Sequence, residues 1–303
     1  MTLELCISTV MNENPRVAVL GDDQETTLAR MRAAQVRQMP ILDAAGFLVG
    51  LETLDELQEA QARENPVIIM AGGLGKRLTP LTENCPKPML LVGGKPILET
   101  ILLSFLGHGF RHFYISVNHR AEMIKEYFGD GSRWGASIEY LSEDRSLGTA
   151  GALSLLPVKP IVPMIVTNGD ILTKANFDHL LQFHVEHKSR ATMCVCEYEY
   201  QVPYGVIRLN GHQILEIQEK PRQKFLVNAG IYALDPDVLG LVVADEHIDM
   251  TTLIERVARE NWETAVFPLR EYWMDIGRHA DLDRANAEFN LQFKESDGNA
   301  SSI

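Results

Sequence analysis

The stretch VIIMAGGLGKRLTP, Val67–Pro80, decides how the rest of the chain is read. Four apolar residues run directly into Ala-Gly-Gly-Leu-Gly and then Lys-Arg, which predicts a buried strand leaving the core through a glycine-rich, dibasic loop. Glycine lets backbone N–H groups approach a ligand closely and point inward together, the arrangement of an anion-binding nest. A tight turn is the alternative reading of the glycines alone. Charge favours the nest: from Gly72 to Lys95 the basic residues are Lys76, Arg77, Lys87 and Lys95 and the single acid is Glu83, whereas the whole chain carries a formal charge of −13. The spacing differs from the kinase-type P-loop, since no Gly-Lys-Ser/Thr follows. It differs equally from the G-x-G-x-x-G dinucleotide fingerprint.

The 303 residues, 46% hydrophobic and 23% charged, suffice for one large core or two domains. The acidic balance excludes a general affinity for nucleic acid or for an anionic membrane. There is no apolar run of membrane-spanning length, and MTLELCISTV has no basic region ahead of its short apolar stretch, so neither a span nor a signal peptide is expected. The cysteines are Cys6, Cys85, Cys194 and Cys196. No second close pair completes a zinc site, and reduced thiols in a cytoplasmic protein are the expectation.

Beyond the loop, helical and strand-like patterns alternate. PILETILLSFLGHG, RAEMIKEYFGDG, GTAGALSLLP and NFDHLLQFHVEHK have helical spacing, while HFYISVN, ASIEYLSE and PMIVTNGDI read as strands. Such alternation predicts an α/β fold with a mostly parallel sheet, whose ligands bind beyond the carboxyl ends of the strands. After Arg190 strand-like runs dominate (ATMCVCEYE, YGVIRL, QILEIQEK, FLVNAGIYAL), then a helix TTLIERVARE, a strand ETAVFPL and a final helix after EYWMDIGRH. Asp170, in NGD, and Asp275, in YWMDIGR, stand in apolar settings beside glycines. An N-cap or turn role is the plainer reading of a lone aspartate there. Two carboxylates from distant segments beside a phosphate pocket would suit Mg2+, which takes one or two carboxylates and fills its other positions with water and phosphate oxygens. No serine or cysteine triad and no Cys/His cluster is evident, so the chemistry read from the residues is phosphate plus divalent metal without a protein nucleophile.

The series MAGGLGKRLTPLTENCPKPMLLVGGKPILE, LGTAGAL, NGD, EKP, NAGIY and WMDIG, in that order from about Pro66 to about Phe289, resembles the signature of the sugar-1-phosphate nucleotidyltransferases. The resemblance implies a Rossmann-like nucleotide-diphospho-sugar transferase fold with a mixed sheet, and an enzyme that joins a nucleoside triphosphate to a sugar 1-phosphate with release of pyrophosphate. It implies that Gly72, Gly73 and Gly75 hug the triphosphate, that Arg77 handles the departing pyrophosphate and that Lys87 neutralises the reacting α-phosphate. Asp170 and Asp275 match the magnesium ligands. Gly148 and Thr149 fall where relatives meet base and ribose, and Glu219, Lys220 and Asn228 where they meet the sugar phosphate. Two departures stand out: Arg278 and His279 replace the usual Thr-Pro after DIG, and Ser146 stands where a proline is frequent. The sequence stops soon after its last helix, so an appended hexapeptide-repeat β-helix is not expected.

The first 64 residues differ in character, with five basic residues, all Arg, against eleven acidic ones. They resemble a single cystathionine-β-synthase-type (CBS) repeat, notably in MPILDAAGFLVGLETLDEL, with Thr53 at the usual threonine and Glu56 where an aspartate commonly holds ribose. Adenine-nucleotide sensing and a dimerising or packing role are both open for this segment, a homodimer being the assembly the second would give. The expected division is 1–64, a catalytic domain over 65–295, and a tail over 296–303. The combination resembles guanylyltransferases acting on amino-hexose 1-phosphates in nonulosonic acid or surface-glycan pathways, so GTP is favoured over UTP or dTTP. A catalytically idle nucleotide sensor and a molybdopterin-type nucleotidyltransferase are the readings of other kinds. The first is opposed by the complete set of site positions, and the second by the EKP, NAG and WMDIG motifs.

Overall fold

The computed structural model describes residue 12 and residues 14–43, 45–54, 57 and 62–293. Cys6, Glu56 and the tail read from sequence over 296–303 lie outside these. The chain divides into two compact units, Met1–Arg63 and Glu64–Ile303.

The first unit is built from strand Ala18–Val19, helix Gln24–Ala33 and strands Gln38–Leu42 and Leu48–Thr53. Asp23 caps the helix by accepting from Thr26 N at 2.7 Å, replacing one of the partners that a first turn lacks. The Asp43 carboxylate accepts from Ala45 N and Phe47 N, both at 2.9 Å, and so closes the hairpin turn. The three-stranded sheet packs Ala18 and Met39 against Leu28, Met31 and Leu57.

The second unit is built on a seven-stranded sheet. Its order is Thr264–Leu269, Ala191–Gln201, Arg222–Leu234, Met164–Asn168, Val67–Met70, His112–Val117, Ser137–Ser142. Only Arg222–Leu234 runs against the others. The fold is therefore α/β with a mixed, mostly parallel sheet. Val67, Ile68 and Ile69 are fully buried, as a central strand covered on both faces requires. On one face the helices Ile97–Gly107 and Phe177–Glu186 contribute Phe105 and Phe177, whose rings stack at 3.9 Å between centroids, with Phe110 edge-on to Phe105 at 5.4 Å. On the other, Met250–Arg259 buries Met250, Leu253 and Val257. Among the described residues, no helix is long and apolar enough to cross a membrane.

Two local outcomes matter for the site. The apolar run around NGD does not continue as one strand. It breaks at Gly169, whose N–H donates to Met70 O at 2.9 Å, and restarts as Ile171–Thr173, which leaves the main sheet to pair antiparallel with Trp273–Asp275. Any Cβ on Gly169 would meet the Met70 carbonyl at 2.9 Å, so this crossing needs glycine. Cys194 and Cys196 are both buried in the core, as their i, i+2 spacing on a strand predicts. Burial pushes the Cys194 thiol well up, and that of Cys196 to about 11, which makes both poor nucleophiles.

His184 offers a check on this core. It is buried on the Phe177–Glu186 helix with Nδ1 2.9 Å from Thr192 Oγ1, and its Nε2 has no partner among the described residues. Burial lowers its pKa, against a weaker opposing pull from Asp235. The folded state therefore disfavours the imidazolium. The neutral ring's contribution is complete above the unfolded value near 6.5 and is lost as pH falls from there toward the lower folded value. The urea midpoint of the wild type should fall between pH 7.5 and pH 5 more steeply than that of His184→Gln; equal slopes would remove His184 as the cause.

Candidate active site

Three segments distant in sequence converge at the carboxyl edge of the central strands. Val67–Met70 delivers the glycine loop, Met164–Asn168 delivers Asp170, and the short ladder Ile171–Thr173 with Trp273–Asp275 sets Ile171 opposite Asp275. The Ile276 N–H donates to Asp170 O at 3.0 Å and locks that register. Asp170 and Asp275 thus become neighbours although 105 positions separate them.

Between them stands Lys87, on the single turn Lys87–Met89. Its side chain is only 9% exposed, and its Nζ lies within 3.9 Å of both carboxylates, bonding Asp170 Oδ2 and facing Asp275 Oδ1. A buried ammonium without such partners would be strongly disfavoured. The Asp275 side chain is about half exposed, yet the protein packed around it raises its pKa. The neighbouring Asp170 charge adds to this, while Lys87 and Arg77 pull the other way. Asp170 Oδ1 is buried and has no hydrogen-bond partner among the described residues.

Arg77 reaches the same place from the turn Lys76–Leu78. Its guanidinium packs flat over Gly277, where an added Cβ would sit 3.3 Å from Nη1. That contact gives the glycine of WMDIG its physical reason. Arg278 and His279 keep this turn closed. The Asp281 carboxylate accepts from Arg278 N at 2.7 Å and from Gly277 N at 3.2 Å, and His279 Nε2 donates to Thr79 O at 3.0 Å. The departure from Thr-Pro therefore leaves Asp275 in position.

The glycines of the loop differ in what they do. Gly75 has φ +61°, and a Cβ there would lie 2.9 Å from Thr82 Cγ2 and 3.0 Å from Lys87 Cβ. Gly72 is covered by Glu143 and Asn118, its notional Cβ meeting Glu143 Oε1 at 2.6 Å. Gly73 faces open space.

Gly148 and Thr149 are held by another segment. Gly148, at φ +78°, lies against Ile248 O, while Thr149 N donates to Asp249 Oδ1 at 3.0 Å and Thr149 Oγ1 accepts from Met250 N at 2.9 Å. The Thr149 hydroxyl thus closes the start of the Met250–Arg259 helix. Asn228 lies on the Arg222–Leu234 strand, where its amide donates to Tyr232 OH at 2.6 Å and accepts from Gly230 N at 2.9 Å. Gly230 in turn packs on Asn168, next to the NGD turn. Glu219 and Lys220 are exposed beyond the hairpin Val206–Asn210/Gln213–Gln218, and among the described residues neither is bonded to the Lys87 cluster. The structure therefore gathers Arg77, Lys87, Asp170 and Asp275 with the glycine loop, and sets the EKP pair apart.

The sequence profile of the family described as "Nucleotidyl transferase" matches residues 66–291. The chain belongs to the nucleotidyl transferase family. A mannose-1-phosphate guanyltransferase of Yarrowia lipolytica is 34% identical over 71% of this chain and 61% of its own length. A mannose-1-phosphate guanylyltransferase catalytic subunit beta of Drosophila melanogaster is likewise 34% identical, over 71% and 60%. The chain thus spans about three-fifths of the length of these relatives. Among solved structures, a Bacillus anthracis protein described as a glucose-1-phosphate thymidylyltransferase superposes with a TM-score of 0.60 at 24% identity, covering 73% of this chain and 94% of that one. HddC from Yersinia pseudotuberculosis complexed with GMP-PN gives 0.58 at 23%, covering 74% and 99%. These two likenesses speak to the fold.

For this family a divalent metal is the expected companion, and the donor set suits one. Two adjacent carboxylates with a buried, unpartnered oxygen fit a hard cation that completes its shell with water and phosphate. No group of three or more His, Cys, Asp or Glu able to hold a metal occurs among the described residues, so the residues do not form an all-protein cage such as structural zinc requires.

The sequence reading missed Glu143 and Asp249. Neither lies in a recognisable motif of its own; each is defined by what it touches across the fold.

The glycine loop gives a paired prediction. Gly75→Ala should destabilise the protein by about 1–2 kcal/mol, the cost of a left-handed non-glycine residue, with more from the contact on Lys87. Gly73→Ala, in open space, should change the unfolding free energy by no more than about 0.5 kcal/mol, the range of ordinary surface changes. The reverse order of effects in urea titrations would contradict the assignment of the two glycines.

Proposed function

We propose that this chain transfers a nucleotidyl group from a nucleoside triphosphate to a sugar 1-phosphate and releases pyrophosphate, with GTP as the triphosphate and a hexose 1-phosphate as the acceptor. The observation that carries the proposal is the grouping of Lys87, Asp170, Asp275 and Arg77 beside a glycine loop at the carboxyl edge of a parallel sheet. The guanyl choice is supported by the mannose-1-phosphate enzymes among the relatives. An amino-hexose acceptor is the finer reading, resting on the sequence resemblance.

The reaction joins two polyanions, so positioned positive charge supplies most of the catalysis. The sugar phosphate oxygen attacks the α-phosphorus in line, opposite the pyrophosphate. That phosphate is already ionised near neutral pH, because its second pKa lies at about 6, so no general base is needed. Lys87 neutralises the reacting phosphate from a fixed position between the aspartates. Arg77, held over Gly277, presents a planar fork to the departing pyrophosphate. Asp170 and Asp275 would hold Mg2+, which when bound supplies charge neutralisation and alignment of the phosphate oxygens. Gly73, with open space beside it, leaves room for a phosphate to approach the loop backbone. Asn228 and the exposed Glu219–Lys220 hairpin would close on the sugar side. The N-terminal unit is read as a CBS-type segment serving assembly or adenine-nucleotide sensing. Calorimetry with AMP and ATP tests the second role, which an absence of binding would set aside.

Pyrophosphate release measured with five triphosphates against a panel of sugar 1-phosphates tests the proposal directly. GTP with a hexose 1-phosphate should give the highest kcat/KM. Arg77→Ala should lower turnover at least ~10-fold and Asp275→Asn more than ~100-fold, the scale for losing a transition-state charge partner, both with unfolding curves close to wild type. Unchanged pyrophosphate release in either variant, or full activity in excess EDTA, would sink the scheme.

A further inference from the structure

The carboxyl ends of Met164–Asn168, Val67–Met70, His112–Val117 and Ser137–Ser142 lie side by side and form one rim. Arg77 and Lys87 meet at its first end, beside Asp170 and Asp275, and both come from one stretch of chain. Arg77 stands on the turn Lys76–Leu78 and Lys87 on the turn Lys87–Met89, joined by residues 79–86. This connector runs over the surface, with Leu81, Glu83 and Asn84 exposed. A surface segment with few ties to the scaffold opens locally at little cost, so its ties decide how well the two cations are placed.

Within the connector the bonds are local: Thr82 Oγ1 donates to Gly75 O, and Glu83 N to Pro80 O. Among the described residues, the hydrogen bonds that reach it from elsewhere in the chain come from two side chains. His279 Nε2 donates to Thr79 O at one end. At the other end a single guanidinium makes two bonds. Arg120 Nε donates to Glu83 O at 3.1 Å, and Arg120 Nη2 donates to Asn84 Oδ1 at 3.0 Å, just ahead of Lys87 in the chain. Arg120 follows the strand His112–Val117, the third of the rim, so the clamp joins the connector to the rigid sheet.

The backbone of Arg120 is left-handed, at φ +52° and ψ +38°, where it precedes the helix Ala121–Phe128. A residue with a Cβ is strained in that conformation and glycine is not. The side chain makes no capping bond to its own helix. Strain of this kind persists where the surrounding structure over-determines it, and it gathers at functional sites. What arginine adds over glycine here is a planar fork that engages two acceptors at once. We propose that Arg120 is a positioning residue for the transfer reaction: it clamps Glu83 and Asn84 to the rim and so fixes the connector from which Lys87 and Arg77 address the phosphates. This rests on the nucleotidyl-transfer reading above. Arg120 acts through the two cations. A small misplacement of such groups costs a large factor in rate, whereas the glycine loop still receives the triphosphate, so loss of the clamp falls on kcat rather than KM.

Arg120→Gly in the full-length protein separates this role from a merely structural one, because it removes the fork and the backbone strain together. Its urea midpoint should stay close to wild type, as relief of the left-handed backbone offsets the lost surface bonds. With the substrate pair that the wild type uses best, kcat for pyrophosphate release should fall at least ~10-fold while the triphosphate KM changes less than ~3-fold. Amide hydrogen exchange over residues 79–90 of the substrate-free protein should quicken. Arg120→Lys keeps the charge but not the fork, and should recover only part of the lost turnover. Asn84→Ala leaves Arg120 in place and should also lower kcat, and the double variant should lose less than the product of the two single losses. Wild-type kcat in Arg120→Gly, or unchanged exchange over 79–90, would overturn the proposal. So would full turnover in Arg120→Lys with a raised triphosphate KM in Arg120→Gly, the mark of a charge that meets phosphate directly. Should Arg120→Gly fail to fold, wild-type kcat in both Arg120→Lys and Asn84→Ala would overturn it equally. Absence of pyrophosphate release from the wild type with every substrate pair would remove the transfer reading, and the part of Arg120 in it.

Discussion

One ammonium shared by two carboxylates organises this molecule. Lys87 is almost wholly shielded from water, and Asp170 and Asp275 both face its Nζ. Removing one partner of such a group leaves an uncompensated buried charge, so the three side chains fix one another. Around them the backbone has little freedom. Gly169 must pass the Met70 carbonyl, Gly75 must carry a left-handed turn behind Lys87, and Gly277 must lie flat under Arg77. Each glycine stands where a Cβ would crowd the backbone or a side chain that frames this cluster.

The same constraint accounts for the small ladder that leaves the main sheet. Strand Ile171–Thr173 could have extended the Met164–Asn168 strand in a simple parallel layout. Instead it turns out and pairs with Trp273–Asp275, and Trp273 Nε1 donates to Ala229 O at 2.9 Å, which ties this ladder to the one reversed strand. Asp170, Asp275 and Asn228 thereby rest on mutually bonded segments, the rigid support that a preorganised electrostatic site needs. At the other end of the rim, Thr149, Asp249 and Met250 clasp the Gly148 turn to the helix behind it. The acidic character of the chain as a whole is no obstacle to binding a polyanion, because the positive charge is concentrated where the strands end.

Much of this was legible in the sequence, and for identifiable reasons. Val67–Met70 announces itself by four consecutive apolar residues and the glycines after them. The helix Ile97–Gly107 follows from its apolar period and its glycine stop, and NGD from an apolar run broken by residues that favour turns. These are signals carried within windows of a dozen residues, where backbone preference and periodicity operate. The aspartates and basic residues that the fold gathers were named from their motifs, and the reversal to strand-rich structure after Arg190 was visible as a change of pattern.

What the windows could not contain was partnership. Nothing local to Asp275 says that its strand pairs with Ile171 rather than extending the main sheet, and nothing local to Thr149 says that its hydroxyl is taken by Met250 N. The break of the strand at Gly169, the placement of one antiparallel strand among six parallel ones, and the reach of Glu143 over Gly72 all depend on contacts between segments far apart in the chain. Sequence by itself determined which residues could bear charge, turn tightly or fill a core. The tertiary structure decided which of them meet, because register and burial are set by the packing of the whole sheet, where one residue of slip would exchange every inward side chain for an outward one.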